Sequence, residues 1–128
     1  MDEIDSMMVL MDFKIEFDLV EGKGRILIYE EWTRKKEKKR ILGEEIGSVD
    51  FCVDNISLTV TNLNVNEEFR RRGLGKLLMN VIFALGVFYN RKVELVSVDD
   101  AIPFYKVIGM RLKDKEKDEF VWKPRKRL

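Results

Sequence analysis

The sequence predicts an α/β domain built on a mixed central β-sheet flanked by helices. Three observations predict it: period-two alternation through the first half, a switch to helical spacing at Leu74, and short β-rich runs after Asn90. At 128 residues the chain has room for one domain around one main core, taken as 1–128 with a basic tail from about 123. With 45% hydrophobic and 37% charged residues, it has enough apolar material to fold without disulfides or a structural metal.

Phe13, Ile15, Phe17 and Leu19 alternate with Lys14, Glu16 and Asp18, the pattern of a half-buried strand. Glu21-Gly22-Lys23-Gly24 reads as a turn, and Arg25–Trp32 as the second strand of a hairpin. Arg34–Arg40 carries six basic residues against Glu37 alone and is expected to be an exposed loop. Ile41–Val53 resumes strand character, with Gly43 and Gly47 as bulge sites, and Asp54-Asn55 marks a tight turn. Ile56–Val65, rich in β-branched residues, is the fourth strand.

The period then changes. Leu74, Leu77, Leu78, Val81, Ile82, Leu85 and Phe88 fall at spacings of three and four, one face of a helix that Asn90 stops. Gly86 inside it costs roughly 1 kcal/mol relative to alanine. Val93–Val98 is a fifth strand, and reaching it through a helix suits parallel pairing with the fourth. Asp99 or Asp100 is expected to cap a second, short helix, with Pro103 in its first turn and Gly109 at its end. Met110–Leu112 and Phe120–Trp122 flank a charged turn as a terminal hairpin.

Composition excludes several function classes. With no histidine, catalysis by Ser-His-Asp or Cys-His arrangements is ruled out, and so is a Cys/His zinc site. Proton carriers are therefore Asp, Glu, Tyr, Lys or water. The single cysteine, Cys52, has no intramolecular partner, which fits a reducing cytoplasm. An acidic start and the absence of a roughly 20-residue apolar run speak against a secretory signal and a membrane span. A net charge of +1 disfavours a nucleic-acid partner held by bulk charge.

The most informative segment is Asn66–Gly75, Asn-Glu-Glu-Phe-Arg-Arg-Arg-Gly-Leu-Gly, set between a β-rich run and a helix. A loop entering a helix presents unpaired N–H groups and the positive end of the dipole, and Gly73 and Gly75 let a phosphate approach without Cβ clashes. Arg70, Arg71, Arg72 and Lys76 add side-chain donors, each charged hydrogen bond being worth about 1.5–3 kcal/mol. Two adjacent phosphates would satisfy such a site. The spacing fits neither a P-loop nor a dinucleotide-binding fingerprint.

Arg70-x-x-Gly73-x-Gly75 after a strand resembles the pyrophosphate-binding signature Arg/Gln-x-x-Gly-x-Gly/Ala of the GNAT superfamily of N-acyltransferases. Downstream, Ala101-Ile102-Pro103-Phe104-Tyr105-Lys106-Val107-Ile108-Gly109-Met110 resembles the family's later motif, an Ala followed by an aromatic-Tyr pair and Gly-Phe. The resemblance spans about 57–112 and implies a GNAT-like sheet whose N-terminal part is minimal, because Glu21–Gly24 leaves no space for the family's usual first helices. It implies an N-acetyltransferase with acetyl-CoA as co-substrate and no metal, moving an acetyl group to a primary amine by direct attack in a ternary complex. Main-chain groups of Leu63 and Val65 would pair with the acyl carbonyl and pantetheine; Arg70, Arg71, Arg72, Gly73, Leu74, Gly75 and Lys76 would hold the pyrophosphate. Tyr105 would act as general acid toward the departing thiolate.

The chain departs from the family's pattern at three points. Thr59 stands where protein-lysine acetyltransferases of the family place a catalytic glutamate, so the base is unassigned among Glu45, Asp50, Glu94 and water held by Thr59 or Thr61. Val98 stands where many members have an Asn that bonds the pantetheine, and Met110 replaces the usual Phe. The partners implied are acyl-CoA, an amine acceptor that includes a protein or peptide in an open cleft, and a second copy in a homodimer. The basic runs read first as solvated charge, with the CoA 3′-phosphate, an acidic acceptor or nucleic acid as alternatives. The rival to an enzyme is a non-catalytic acyl-CoA-binding regulatory module.

Overall fold

A computed structural model of the protein describes residues 10–18, 21–34, 39–70 and 73–125. Seven strands form one sheet: β1 (Leu10–Asp18), β2 (Lys23–Arg34), β3 (Lys39–Val53), β4 (Ser57–Val65), β5 (Lys92–Val96), β6 (Arg111–Asp114) and β7 (Glu119–Trp122). Their spatial order is β1-β2-β3-β4-β5-β7-β6. Only β4 and β5 run parallel, joined by the crossover helix α1 (Leu74–Tyr89) as expected. A short helix α2 (Ile102–Val107) links β5 to β6. The first two strands connect through a tight turn, so no helix precedes β2 among the described residues.

Both helices lie on one face. From α1, Phe83 stacks on Trp122 of β7 at 4.5 Å, and Tyr89 stacks on Phe17 of β1 at 6.2 Å. From α2, Tyr105 packs on Phe120, which shares its face with Trp122 because the two are two residues apart on one strand. The core fills this layer with Ile26, Ile28, Val49, Phe51, Leu58, Leu78, Ile82, Val93, Leu95 and Phe120. Gly86 owes its place inside α1 to this packing: a Cβ there would meet Val93 Cγ2 at 3.0 Å and the Arg91 carbonyl oxygen at 3.1 Å. The opposite face carries polar and charged positions, with Leu27 buried among them and outside the main cluster. There Glu94 of β5 is paired with Lys92 at 3.0 Å and Lys113 at 3.4 Å.

Several boundaries shift from expectation. The ribbon of β2 and β3 continues to the pair Arg34↔Lys39, so ladder bonds carry the backbone well into what was expected to be a basic loop; residues 35–38 lie outside the described part. The bulges fall beside Gly47 and Gly43, where β3 carries extra residues relative to Ile28, Tyr29 and Glu31 of β2. β5 ends at Val96 rather than Val98: the Ser97 N–H makes a last bond toward the β7 side, to the Asp118 carbonyl, and the Val98 carbonyl then turns to the Ala101 N–H at 2.9 Å. Neither Asp99 nor Asp100 caps α2; they form a 3₁₀ turn (Asp99–Ala101), and α2 starts without a side-chain cap. Asp54 supplies the expected tight turn, its Oδ1 accepting from the N–H groups of Ile56 and Ser57, both at 2.8 Å. Among the described residues, no helix is long and apolar enough to cross a membrane.

Gly24 sits under the Phe51 ring, and a Cβ there would overlap the ring at Cζ. Gly24→Ala should therefore cost about 1–3 kcal/mol by overpacking, read as a lower midpoint in urea with an unchanged slope. Burial pushes the Glu94 carboxyl up, but its bonds to Lys92 and Lys113 outweigh this and hold it below the ordinary value of 4.5. A depressed carboxyl stabilises above its unfolded value and loses that stabilisation as pH falls through the folded one. Glu94→Gln should thus be less stable than the parent at pH 7, with the gap closing below about pH 4 in paired urea titrations.

Candidate active site

β4 parts from β5 halfway along its length. Ser57–Val60 pair with Lys92–Leu95, but beyond Val60 no β5 residue faces β4. Thr61 is the cause on the β4 side: it is an extra residue between the pairs Phe51↔Val60 and Asp50↔Asn62, a bulge that twists the strand's second half away. The Asn66 N–H bonds the Ile46 carbonyl at 2.8 Å on β3, and by strand alternation Asn64 and Asn62 face the same way. Leu63 and Val65 therefore turn their main-chain groups to the unpaired edge. The Val65 carbonyl there accepts from Arg70 Nε at 3.2 Å.

At the end of that edge a 3₁₀ turn (Glu67–Phe69) leads toward Gly73, which caps α1 in the left-handed region at φ 78°. No atom lies within 4 Å of where its Cβ would be, so backbone conformation, not space, calls for glycine. The Gly73 carbonyl accepts from the Leu77 N–H at 2.9 Å, which leaves the N–H groups of Leu74, Gly75 and Lys76 without helical partners. No acidic residue occupies the first turn to compete for them. Gly75 has a different reason to lack a side chain: a Cβ would press on Phe104 Cζ at 3.3 Å.

These elements enclose one pocket of about 470 Å³, lined by Leu63, Val65, Phe69, Arg70, Gly73, Leu74, Gly75, Lys76 and Phe104. It brings together seven of the residues singled out from sequence; Arg71 and Arg72 lie outside the described residues. Phe69 and Phe104 were not among them. Both stand inside the two motifs, and their aromatic character was the available signal. One end of the pocket is cationic and rich in N–H donors, the rest is apolar, and one wall is an unpaired strand edge. A ligand that fits has a polyanionic end, an apolar arm and amide groups able to extend a sheet.

Tyr105 does not line the pocket. It stands behind Phe104, edge-on at 5.1 Å, with 7% of its surface exposed. Burial raises its phenol above the ordinary value of 10.0. Among the described residues the hydroxyl has no hydrogen-bond partner, an arrangement that costs free energy unless a ligand supplies one.

The carboxylates considered as bases are mostly spoken for. Asp50 holds Arg25 at 2.6 and 3.3 Å, and Glu94 is held by its two lysines. Glu45 is exposed and lines a separate polar pocket on the helix-free face. Thr59 lies on that same face, beside Glu94 in register. Val98 is 73% exposed past the end of β5. No group of three or more metal-ligating side chains occurs among the described residues.

The family model of the acetyltransferase (GNAT) domain matches residues 22–109. No curated protein matches the sequence. Among solved structures, a Staphylococcus aureus Mu50 acetyltransferase of the GNAT family is similar with a TM-score of 0.62 at 16% identity, covering 82% of this chain and 70% of its own. Arabidopsis thaliana NAA60 in complex with a bisubstrate analogue gives 0.61 at 18%, covering 80% and 75%. A GNAT family acetyltransferase from Elizabethkingia anophelis with acetyl-CoA bound gives 0.57 at 18%, covering 74% and 58%. At such identities these structures speak for the fold alone. The family model spans well over half of the sequence, and the chain belongs to the GNAT acetyltransferase domain family.

Proposed function

We infer that the protein is an N-acetyltransferase that carries the acetyl group of acetyl-CoA to a primary amine of a peptide, protein or small molecule. The observation behind this reading is the meeting of an unpaired β4 edge with the donor-rich start of α1 in one pocket. A pyrophosphate suits the N–H groups of Leu74–Lys76 with Arg70 and Lys76; Arg71 and Arg72, which the motif adds to this set, lie outside the described residues. The pantetheine amides suit the main-chain groups of Leu63 and Val65, as a short added strand would. Since the Val65 carbonyl already receives Arg70, its N–H and the two groups of Leu63 are the ones left for the ligand.

In the reaction the neutral amine attacks the thioester carbonyl carbon, a tetrahedral adduct forms, and the C–S bond breaks as the thiolate takes a proton. Tyr105, from its place behind Phe104, supplies that proton, its buried phenol staying protonated at neutral pH and lacking a partner; the adduct nitrogen gives up its extra proton to water, which restores the phenol. The amine's own proton must leave first. For a lysine-like amine near 10.4 that costs roughly 4–5 kcal/mol at pH 7, and far less for a peptide terminus near 7.7–8.0. With Asp50 and Glu94 tied to cations, a water relay past Thr59 and Thr61 is the route this chain offers.

Calorimetry with coenzyme A tests the binding half. Heat of binding is expected, weakened about tenfold by Arg70→Ala and more by Gly75→Val, whose side chain fills the pocket against Phe104. No heat from the parent protein would sink the reading, and binding without thiol release for any amine would identify a regulatory module instead. Tyr105→Phe should lower kcat about a hundredfold while leaving acetyl-CoA affinity unchanged. Because the phenol is raised above 10.0, kcat/KM should climb with pH through 9 as the amine deprotonates, and the fall caused by Tyr105 ionising should come only above pH 10.

A further inference from the structure

The helix-free face next to the open edge carries a feature that acetyl-CoA does not use. Asn62, Asn64 and Asn66 occupy every second position at the end of β4, and all three line a polar pocket of about 220 Å³ with Arg25, Glu45, Gly47 and Ser48. Asn66 is fixed at the rim, its Nδ2 donating to the Glu45 carbonyl at 3.1 Å. Asn62 and Asn64 are exposed, and among the described residues their side chains have no partner.

We propose that this asparagine row docks the main chain of an extended peptide acceptor, running along β4 with its amino end toward Thr61. Resting on the acetyl-transfer reading, this names the acceptor class. Spacing carries the argument: alternate residues of a strand stand about 6.6–6.8 Å apart, the distance at which alternate residues of an extended peptide repeat. Each Asn amide offers a donor and an acceptor, which is what one peptide group needs on each side. Charge points the same way. Arg25 is neutralised by Asp50, which leaves Glu45, at the Asn66 end of the row, as the pocket's unbalanced charge, hostile to a phosphate chain. The row begins one residue after the bulge that opens the β4 edge, so a peptide lying on it brings its terminus to the thioester.

The experiment compares tetra-alanine amide with alanine amide as acceptors, measuring thiol release from acetyl-CoA. The tetrapeptide should show a kcat/KM at least about tenfold higher, through KM. Replacing Asn62 and Asn64 together by Ala should remove most of that advantage with acetyl-CoA affinity unchanged. In parallel, the side-chain amide resonances of Asn62 and Asn64 should shift when tetra-alanine amide is titrated into the protein, with and without coenzyme A. Equal efficiency for the two acceptors, an advantage that survives the double substitution, or unmoved resonances would each overturn the proposal. If coenzyme A fails to bind, the acetyl-transfer reading falls, while the resonances still decide whether the row takes a peptide.

Discussion

The separation of β4 from β5 is the constraint on which the rest of the site depends. Parallel strands in a covered sheet ordinarily pair along their whole length, because an unpaired N–H or C=O away from water costs as much as a lost hydrogen bond. Here the ladder stops after four pairs. The bulge at Thr61 turns β4 one way, and the Ser97-to-Asp118 bond draws the end of β5 toward the terminal hairpin. What remains is a strand edge beside a helix start, two sets of unsatisfied backbone groups in one place. The backbone thus builds most of the site, and the side chains the site demands most strictly are absent ones, at Gly73 and Gly75.

A second consequence follows from the tight β1–β2 connection. With both helices on one side, the sheet has a dry face and a wet one, and the wet face must be stable without a covering layer. The chain manages this with ion pairs on the sheet surface, Arg25 of β2 with Asp50 of β3, and Glu94 of β5 with Lys92 of its own strand and Lys113 of β6, which keep those strands compatible with water. Such pairs add little to stability individually. At Glu94 the chemical effect is larger, since a carboxylate held by two lysines is a poor proton acceptor. The same kind of bond engages Asp50, so two of the carboxylates that sequence alone offered as bases already have cationic partners.

Much of this was legible in the residues. Alternation from Phe13 to Asp18, helical spacing from Leu74 and the glycines of Arg70–Gly75 point to a strand, the crossover helix and the loop that lines the pocket, because each is a local rule with a local cause. The errors have non-local causes. Arg34–Arg40 read as a loop by charge, yet pairing between β2 and β3 carries the ribbon to Arg34 and Lys39. Val98 reads as strand by propensity, yet its carbonyl turns to the Ala101 N–H in the 3₁₀ turn that follows β5. Asp99 and Asp100 read as caps and make a 3₁₀ turn instead. Asn62 and Asn64 stand inside a run recognised by its β-branched neighbours, and Asn66 reads only as the start of the loop that follows. Their significance depends on which face is bare, a property of the packed sheet.

Proton traffic then connects the acceptor to the fold. A site with a strong fixed base can strip a lysine-like amine, but here histidine is missing, Thr59 holds no charge, and Asp50 and Glu94 are neutralised. Removing about three units of protonation through water alone would add roughly 4–5 kcal/mol to the barrier, some three powers of ten in rate. A peptide terminus, with its ordinary value near 7.7–8.0, carries about one unit of that burden at pH 7. An acceptor docked by its main chain is recognised through its terminus rather than a side chain. On the proposed function and the proposed docking, a weak base and the asparagine row would therefore select the same kind of amine, one through the energetics of deprotonation and the other through the geometry of docking.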